Sequence, residues 1–370
     1  MTLRGGNVCS RTSGVETSIY SVHIFSSQAD IERLAHLAWP LLEGRESVSR
    51  PRFFLASVDT QSWVPRVVVV RRAGATVGIV YTKERKFAGV PTGVIYADAV
   101  LDGMVVAAVR DQERVLEIAL RRLQEKAGCF GLRLSVRPDG FEYSVVNRML
   151  PSLAMDVNYG KVENHVVLDL PRDYESFLKN LGQKTRRNFR YYRRRSEALD
   201  RRYIEEVPLP DFRAAAYRLL KKSVIGARRS GVARALRILA EVDRPILVGL
   251  RSSSGEWLSI LGGWYETNRA VIFLQMNNDR NYPESSLCTV LRGYLIESSI
   301  VRGTTAILFW SGAGGPLSRY CRFLPTTGVY LDATGFIWRN VRRALAGMAR
   351  FLPPRLRLLV NWVTVDRFAH

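Results

Sequence analysis

The same predicted order of strands and helices occurs twice in this sequence, about 180 residues apart. In the first copy, residues 64–72, 77–86 and 93–98 are predicted as strands, because β-branched residues are frequent in them and turn residues separate them. Residues 111–127 carry apolar side chains at helical spacing, and residues 132–136 form a further strand. This β-β-β-α-β order requires a sheet that buries one face under a helix.

The second copy repeats that order. Strands are predicted over residues 246–251, 257–266 and 270–276, followed by an apolar helical pattern over residues 287–302. Residues 305–310 close the copy as its last strand. The repetition favours an internal duplication, and it predicts an α+β fold with a mixed sheet in each half.

Arginine dominates the charge of the chain. The 370 residues include 55 Lys and Arg against 34 Asp and Glu, a formal net charge of +21 at pH 7, and only 8 of the cations are Lys. Arginine suits phosphate, carboxylate and aromatic partners. A hydrophobic content of 47% and a mean hydropathy of −0.06 exclude a disordered chain and a multi-span membrane protein.

A strongly basic segment lies between the two copies. Residues 165–170 are predicted as a strand, Pro171 ends it, and Asp173 begins a helix. Two tyrosines lie among the cations that cover every face of this helix, namely Lys184, Arg186, Arg187, Arg190, Tyr191, Tyr192, Arg193, Arg194, Arg195, Arg201 and Arg202. Two interpretations remain open: an electropositive wall for a polyanion or a phosphate-bearing ligand, and a solvated helix with excess charge.

Short motifs in this segment and in the second copy resemble one group of enzymes. They are residues 168–171 (LDLP), 174–178 (YESFL), 184–188 (KTRRN), 282–286 (YPESS) and the pair Ser311-Gly312. Over about residues 60–325 the sequence resembles the CelD/BcsL-like (cellulose-biosynthesis) acyltransferases, a branch of the GNAT superfamily related to the Fem aminoacyltransferases. It departs from the pattern of that group after Gly312, where Arg319 and Tyr320 are the nearest equivalents of an acidic residue and a Tyr-Lys pair.

The resemblance implies two tandem GNAT-like domains of the α+β class, with the active site in the second. The expected division is an N-terminal extension and helix (1–60), a first or scaffold domain (61–163), a linker strand with the Arg-rich helix (164–203), a second or catalytic domain (204–335) and a basic amphipathic tail (336–370). In the tail, residues 337–352 place apolar side chains on one helical face and arginines on the others. Such a helix lies on an anionic membrane or packs on the domain with its arginines solvated.

The reaction that the resemblance implies is acyl-CoA-dependent N-acyl transfer. An acceptor amine attacks a thioester, and the protein supplies position, an oxyanion contact and a proton for the thiolate. The pyrophosphate of the donor binds backbone N–H groups at a helix start, and Ser285 or Ser286 is the predicted cap of that helix. The corresponding turn of the first copy holds three carboxylates that would repel phosphate, Asp98, Asp102 and Asp111. The residues expected around acyl-CoA are Met276, Arg280, Asn281, Tyr282, Ser285 and Ser286.

Three residues are candidates for proton transfer. Tyr320 follows the last core strand, where many GNAT enzymes carry the tyrosine that protonates the thiolate, and a phenol can donate a proton at neutral pH. Glu266 or Asp279 could accept the proton of the acceptor amine if burial raised its pKa. Each of the three is also compatible with a purely structural role. Three aromatic residues line a pocket under this fold or belong to the core: Trp264, Phe273 and Trp310.

Two other functions remain open. A Fem-like transferase takes its acyl group from aminoacyl-tRNA, and residues 184–202 would then hold the acceptor stem through its phosphates. The sequence has no heptad run long enough for the coiled coil that Fem proteins often carry. The other alternative is a degenerate GNAT pair without activity that binds a polyanion or a membrane surface. The absence of the Q/R-x-x-G-x-G/A loop, with which GNAT enzymes usually bind the pyrophosphate, favours it.

Metal sites and targeting segments are not expected. The four cysteines lie more than thirty residues apart and the four histidines are scattered, which argues against a zinc site and a disulfide framework. The first 14 residues lack the apolar run of a signal peptide, and no stretch reaches the ~20 apolar residues of a spanning helix. A cytoplasmic protein is therefore expected, peripheral at the inner membrane face if it binds lipid. Its acceptor would be the amine of a metabolite, a sugar or a cell-envelope precursor.

Overall fold

The computed structural model describes residues 19–99, 103–125, 129, 131–153, 155–161, 165–224, 227–310 and 312–333. The helix expected over residues 337–352 lies outside these ranges. The elements of the first half are, in chain order, β1 (Tyr20–Phe25), α1 (Gln28–Leu37), α2 (Trp39–Leu42), α3 (Pro51–Ser57), β2 (Trp63–Arg72), β3 (Ala75–Phe87), β4 (Val90–Asp98), β5 (Val105–Ala107), α4 (Gln112–Glu125), β6 (Gly131–Val136), α5 (Phe141–Met149) and β7 (Met155–Lys161).

The second half begins with the linker strand. Its elements are β8 (Val166–Asp169), α6 (Tyr174–Asn180), α7 (Gln183–Ala198), β9 (Arg202–Ile204), α8 (Leu209–Leu220), α9 (Arg229–Ala240), β10 (Pro245–Arg251), β11 (Trp257–Tyr265), β12 (Arg269–Asn277), α10 (Leu287–Val301), β13 (Ala306–Phe309), β14 (Arg322–Phe323) and β15 (Thr327–Ala333). None of the described helices is both long and apolar enough to cross a membrane.

The predicted β-β-β-α-β order is confirmed in both halves. It consists of β2, β3, β4, α4 and β6 in the first half, and of β10, β11, β12, α10 and β13 in the second. Helix α4 buries its predicted apolar face completely against the first sheet, through Val115, Leu116, Ala119, Leu120 and Leu123. The fold is therefore mixed α/β, with one sheet in each unit.

One strand of the second half, β15, crosses into the first sheet. In the described residues the first sheet has the order β1-β2-β3-β4-β6-β15-β7, with β5 beside β3, and the second has the order β9-β10-β11-β12-β13-β8-β14. Strand β15, from the end of the second half, pairs antiparallel with both β6 and β7. Strand β8 pairs antiparallel with both β13 and β14, at the equivalent place in the second sheet. Residues 327–333 thus belong to the first sheet, although the sequence interpretation places them in the range 204–335.

The basic segment forms two helices where the sequence predicts one. The carboxylate of Asp173 accepts a hydrogen bond from the backbone N–H of Ser176 at 2.7 Å, so Asp173 caps a helix as expected. That helix, α6, ends after seven residues, and the extended backbone at Gly182 starts α7 separately. Arg201 lies beyond α7, and Arg202 belongs to strand β9.

The two faces of the second sheet have different neighbours. Helix α10 covers one face, where it packs with Ala270, Ile272 and Ile307. On the other face, Phe53 of α3 contacts Trp264 of β11, with ring centroids 5.5 Å apart. The first unit therefore forms one wall of any cleft on this second face.

Candidate active site

A gap opens between the two parallel strands at the centre of the second sheet. Strand β12 pairs with β13 through residues 269–272, and the backbone N–H of Trp310 continues the contact to the carbonyl of Ile272 at 2.9 Å. Beyond this point β12 runs on through residues 273–277, while the chain after β13 turns into a short 3-10 helix over Gly315–Tyr320. The two strands are therefore unpaired beyond Ile272, and this unpaired stretch is the gap.

A β-bulge lies at the mouth of this gap. Gly262 of β11 faces Leu274 and Gly263 faces Ile272, so Phe273 has no residue opposite it in β11. A Cβ atom on Gly263 would lie 2.0 Å from the carbonyl oxygen of Val271, so the bulge requires glycine there. Bulges re-aim strands and side chains, and they are frequent beside active sites.

Helix α10 begins directly after the open part of β12 without a side-chain cap. Ser286 stands at the N-cap position with φ +45° and ψ +43°, and its hydroxyl caps nothing, contrary to the sequence prediction. Its carbonyl oxygen accepts hydrogen bonds from the N–H groups of Thr289 and Val290. The N–H groups of Leu287 and Cys288 have no acceptor in the described part of the chain. Such unpaired donors and the helix dipole together favour an anion.

Glu256, which the sequence analysis does not single out, anchors the loop before α10. Its carboxylate accepts hydrogen bonds from Lys222 at 2.7 Å, from Asn278 at 3.1 Å and from the hydroxyl of Tyr282 at 3.4 Å. The guanidinium of Arg201 lies over the ring of Tyr282, 5.2 Å from its centroid. The loop is therefore held on both sides, which fixes the start of α10 in place.

The residues predicted around acyl-CoA lie in three different environments. Arg280 and Asn281 are exposed beside the start of α10. Tyr282 and Ser286 are half-buried, and Ser285 is buried. The side chain of Met276 is fully buried in the core with α8 and α9, so it cannot contact a ligand.

A buried guanidinium spans the gap on the α10 side. Arg292 Nε donates to the side-chain oxygen of Gln275 at 2.8 Å, and Nη1 donates to the carbonyl oxygen of Gly314 at 3.2 Å. It also lies over the ring of Phe309, 5.0 Å from the centroid. No described carboxylate pairs with it, and burial lowers its pKa. Arg292 therefore ties β12 to the loop after β13.

Tyr320, the predicted proton donor, lies at the end of the 3-10 helix. Its phenol oxygen accepts a hydrogen bond from the backbone N–H of Gly182 at 2.8 Å, and its O–H is 3.4 Å from Thr185 Oγ1. These hydrogen bonds, the one with Thr185 foremost, lower the pKa of Tyr320. The side chain thus joins the start of α7 to the chain that leaves the gap.

The two predicted bases are far apart. Glu266 follows β11, where its carboxylate pairs with Arg269 and accepts a hydrogen bond from Trp264 Nε1 at 3.3 Å. The nine-residue strand β12, about 25–30 Å long, separates it from the start of α10. Asp279 lies at that start, near Cys288, whose thiol pKa is raised by burial and, to a smaller extent, by the charge of Asp279. The structure therefore brings Asp279, but not Glu266, to the predicted donor site.

His165 lies at the gap on the face toward the first unit, and the sequence analysis misses it because an isolated histidine carries no motif. Its Nδ1 is 2.7 Å from the carbonyl oxygen of Trp310, and the two rings make an edge contact at 4.9 Å. Phe273 packs on the other side of Trp310 at 5.5 Å. Burial lowers the pKa of His165, although Asp98 of the first unit acts in the opposite direction. A neutral imidazole therefore stands beside the bulge.

The cations of α7 divide into paired and unpaired groups. Arg190 pairs with Glu175 at 2.7 Å, and Arg193 pairs with Glu297 at 2.6 Å and Glu197 at 3.1 Å. The cations of this helix without a described carboxylate partner are Lys184, Arg186, Arg187, Arg194 and Arg195. Arg195 reaches the carbonyl oxygen of Glu284 at 3.5 Å, so the basic surface extends to the start of α10.

Comparison with known proteins identifies the fold. No family model matches the sequence, and no curated protein sequence matches it significantly. The structure is similar to a crystal structure of FemX, with a TM-score of 0.57 and 10% identity over 84% of this chain and 96% of that chain. It is also similar to a DUF2156 domain from Agrobacterium fabrum (TM-score 0.54, 12% identity, 87% and 95%). L-PGS from Bacillus licheniformis gives a TM-score of 0.53 at 12% identity, over 85% and 96% of the two chains.

These similarities span both units and almost the whole of each matched chain. The expected fold of two tandem GNAT-like domains is therefore confirmed. At 10–12% identity the likeness concerns the fold alone.

Proposed function

We propose that this protein is an acyltransferase that moves an acyl group from acyl-CoA to an amine of a metabolite, a sugar or a cell-envelope precursor, as in the CelD/BcsL-like branch that the motifs resemble. The observation that carries the proposal is the coincidence, in the second sheet, of the gap between β12 and β13 with the uncapped start of α10. A long thioester donor can thread the gap while its pyrophosphate rests on the helix start.

The donor would bind on the α10 side of the gap. The N–H groups of Leu287 and Cys288 are the proposed pyrophosphate donors, with exposed Arg280 and Asn281 beside them. An anion at this place satisfies two backbone donors that the protein itself leaves unpaired. Asp279 also lies close to this helix start. It is therefore on the donor side of the gap and is not the proposed base for the acceptor amine.

The acceptor amine would approach from the opposite face, beside His165 and Trp310. Its nitrogen attacks the thioester carbonyl carbon, a C–N bond forms, and the C–S bond breaks with its electron pair on sulfur. One amine proton passes to His165, and the O–H of Tyr320 protonates the thiolate. Exchange with water then restores both groups.

His165 is the proposed base because of its tautomer. A carbonyl oxygen accepts only, so Nδ1 must carry the hydrogen that faces Trp310 at 2.7 Å. In the neutral ring the lone pair is then on Nε2. Glu266 is left out of the proposed reaction because Arg269 and Trp264 occupy its carboxylate.

A panel of free CoA, acetyl-CoA and longer acyl-CoAs tests this proposal. The purified protein should melt at a higher temperature with each donor it binds, by an amount set by the ratio of concentration to Kd. The chain length with the largest shift should also be the best donor for acylation of small amines. Failure of every CoA derivative to bind would overturn the proposal.

Aminoacyl-tRNA is the second candidate donor, and one observation favours it. The unpaired cations of α7 adjoin the start of α10 through Arg195, so a phosphate backbone could follow them into the same site. Binding of a tRNA would fall steeply with salt, because several phosphate contacts release counterions. Binding of one CoA molecule should depend only weakly on salt. A salt titration with both ligands therefore separates the two donors.

A further inference from the structure

The hairpin between β3 and β4 ends in an apolar tip. Phe87 pairs with Val90 as the last rung, and Ala88 and Gly89 connect the two strands. Phe87 is 45% exposed and Val90 is 65% exposed, and Ala88, Gly89 and Pro91 are exposed as well. Five consecutive residues of one projection therefore carry no polar side chain. A contiguous apolar surface with polar residues around it marks a site of interaction.

The turn at this tip has an unfavourable residue for its backbone. Ala88 has φ +48° and Gly89 has φ +84°, so both connecting residues have positive φ, as in a type I′ turn. Asn-Gly and Asp-Gly are the usual pairs in this turn, because alanine is strained in the left-handed region. The tip thus carries an apolar side chain where the backbone favours a polar one.

Hydrogen bonds below the tip fix its direction. Strand β4 bulges beside Arg85, so that its residues 92–94 lie opposite that one residue of β3. The carboxylate of Glu84 accepts a hydrogen bond from the backbone N–H of Gly93 at 2.8 Å, and Thr92 Oγ1 donates to the carbonyl oxygen of Arg85 at 2.9 Å. The tip is therefore a preformed projection, which loses little conformational freedom when it binds a partner.

Cations and a tryptophan form the layer behind the tip. Trp63 of β2 pairs with Arg85, whose guanidinium lies 5.2 Å from the centroid of the indole ring. Lys86 follows, and its Nζ donates to a backbone carbonyl oxygen at 2.7 Å. Glu84, the one acidic residue between residues 80 and 94, is buried and pairs with Arg66 at 2.6 Å. This layer therefore has a positive charge that Glu84 does not offset.

The order of these layers matches that of a membrane surface. Arg85 and Phe87 are two residues apart on one strand, about 7 Å, which is within the depth of about 5–10 Å to which interfacial segments enter a bilayer. Tryptophan rings favour the headgroup level. Lysine and arginine are attracted to anionic lipids, and the whole chain has a formal net charge of +21. Apolar contact and charge thus favour the same partner.

The chain leaves the first sheet at the end where this hairpin projects. Val94 of β4 pairs with Gly131 of β6, which in turn pairs with Asp332 of β15. Two strand spacings, about 10 Å, separate Val94 from Asp332. Strand β15 runs toward this end, and the basic amphipathic sequence 337–352 follows it. An anionic membrane is one of the two partners expected for that sequence.

We propose that the tip of the β3–β4 hairpin enters the surface of an anionic lipid bilayer and holds the protein there. Phe87 and Val90 would lie among the acyl chains, with Trp63, Arg85 and Lys86 at the headgroups. The proposal does not depend on acyl transfer, because no residue of the proposed reaction belongs to the hairpin. It gives the first unit, which has no proposed donor site, a role of its own.

Vesicle flotation with the full chain tests the proposal. We expect binding to vesicles of phosphatidylcholine and phosphatidylglycerol in equal parts, and much weaker binding to phosphatidylcholine alone. The double variant Phe87→Ser and Val90→Ser should weaken binding about ten- to a hundredfold, because it removes the apolar contact. Lys86→Gln should weaken it about fivefold, the effect of one cation near an anionic surface.

Ala88→Asn provides two measurements with opposite signs. Asparagine suits the left-handed backbone, so the melting temperature should rise, while its amide makes the tip polar and vesicle binding should fall. A tip with a merely structural role would gain stability without losing vesicle binding, and that result would contradict the proposal.

Val109→Ser and Val301→Ser are the matched controls, since these valines are 84% and 83% exposed in other parts of the molecule. Both variants should bind vesicles as the unmodified chain does. No binding of the unmodified chain to anionic vesicles, or equal binding by the hairpin double variant, would overturn the proposal. A dimer that the double variant converts to a monomer would make the tip an interface between two copies instead. None of these outcomes depends on whether CoA binds.

Discussion

The two sheets have the same strand order but differ in how far their central parallel strands stay together. In the first sheet, β4 pairs with β6 from Val94 to Asp98, and the N–H of Ala99 continues the contact to Ser135 at 2.8 Å. In the second sheet, the pairing of β12 with β13 stops at Ile272. The central parallel strands therefore stay paired to the end of β4 in the first sheet, whereas those of the second sheet separate beyond Ile272.

The helices that cover the two sheets, α4 and α10, also differ in the charged residues at their N-termini. Asp111 lies directly before α4, where it pairs with Arg72 and Arg110, and Glu113 lies in the first turn. Helix α10 has no acidic residue in its first turn and no side-chain cap. The first turn of α4 therefore carries a carboxylate of its own, whereas the first turn of α10 does not. The two helix starts therefore differ although both helices cover a sheet in the same way, and this difference is the reason why the proposed donor site is in the second unit.

The largest effect is expected at His165. Asparagine places an amide N–H near the position of Nδ1, so His165→Asn can keep the contact with Trp310 while removing the proposed base. We expect kcat to fall about 10²–10⁴-fold. Donor affinity, measured by calorimetry, should not change. Unchanged turnover would remove His165 from the mechanism.

The pH dependence follows from the same residue. The base must be neutral, and burial lowers the pKa of His165 below its ordinary value of 6.5. Activity should therefore persist as the pH falls to 6.5 and decline only at lower pH, where the imidazole becomes protonated. A pH profile of kcat/KM for the unmodified enzyme shows this limb, and His165→Asn should abolish it.

Strands β15 and β8, which occupy equivalent places in the two sheets, differ in the burial of the ion pairs that they form. Asp332 on β15 forms a buried pair with Arg133 on β6, whereas Asp169 on β8 forms an exposed pair with Arg322. Asp332→Asn should lower the free energy of unfolding by about 3–5 kcal/mol, because it leaves a buried guanidinium without its counter-charge. Asp169→Asn is the control and should cost less than about 1 kcal/mol. Urea denaturation measures both, and equal costs would refute this difference.

The start of α10 is tested by a charge change with little change in shape. Both Asp and Asn tolerate the left-handed backbone of Ser286. Ser286→Asp should weaken CoA binding about a hundredfold through like-charge repulsion, and Ser286→Asn should bind nearly as the unmodified protein does. Asp111→Asn, at the start of α4, should have no effect on CoA binding. Equal affinities of the two Ser286 variants would place the donor elsewhere.

The smallest effect is expected on the exposed face of α7. The double variant Arg187→Gln and Arg194→Gln should change stability by within about ±0.5 kcal/mol, since neither cation has a described carboxylate partner. Arg193→Gln should destabilise more, because Arg193 pairs with two glutamates and lies over Tyr294 at 4.4 Å. Weaker tRNA binding with unchanged CoA binding in the double variant would favour the tRNA donor.

The sequence predicts what depends on local pattern. The strand runs of β2 and β12, the apolar face of α4 and the cap at Asp173 follow from spacing and residue type alone. The crossing of β15 could not be predicted, because a strand has the same local pattern whichever sheet it joins. The break at Gly182 is not predicted, because a single glycine is tolerated within a helical pattern.

The site is less predictable than the fold. The turn at Ser286 was found because a helix start has a recognisable pattern, but its left-handed backbone is set by the loop that Glu256 holds. His165 acquires its surroundings only when the two units meet. Glu266 is a carboxylate, as a general base can be, but Arg269, three residues further along the chain, pairs with it.

The crossing of β15 into the first sheet also determines when the protein can fold during synthesis. Arg133 and Asp332 are 199 residues apart in the chain, yet their strands are neighbours in the first sheet. Most of that sheet has left the ribosome long before β15 is made, so β6 and β7 must wait with unpaired edges. Contacts of such long range also slow folding. The first sheet therefore cannot be completed until the last strand of the second half has been made.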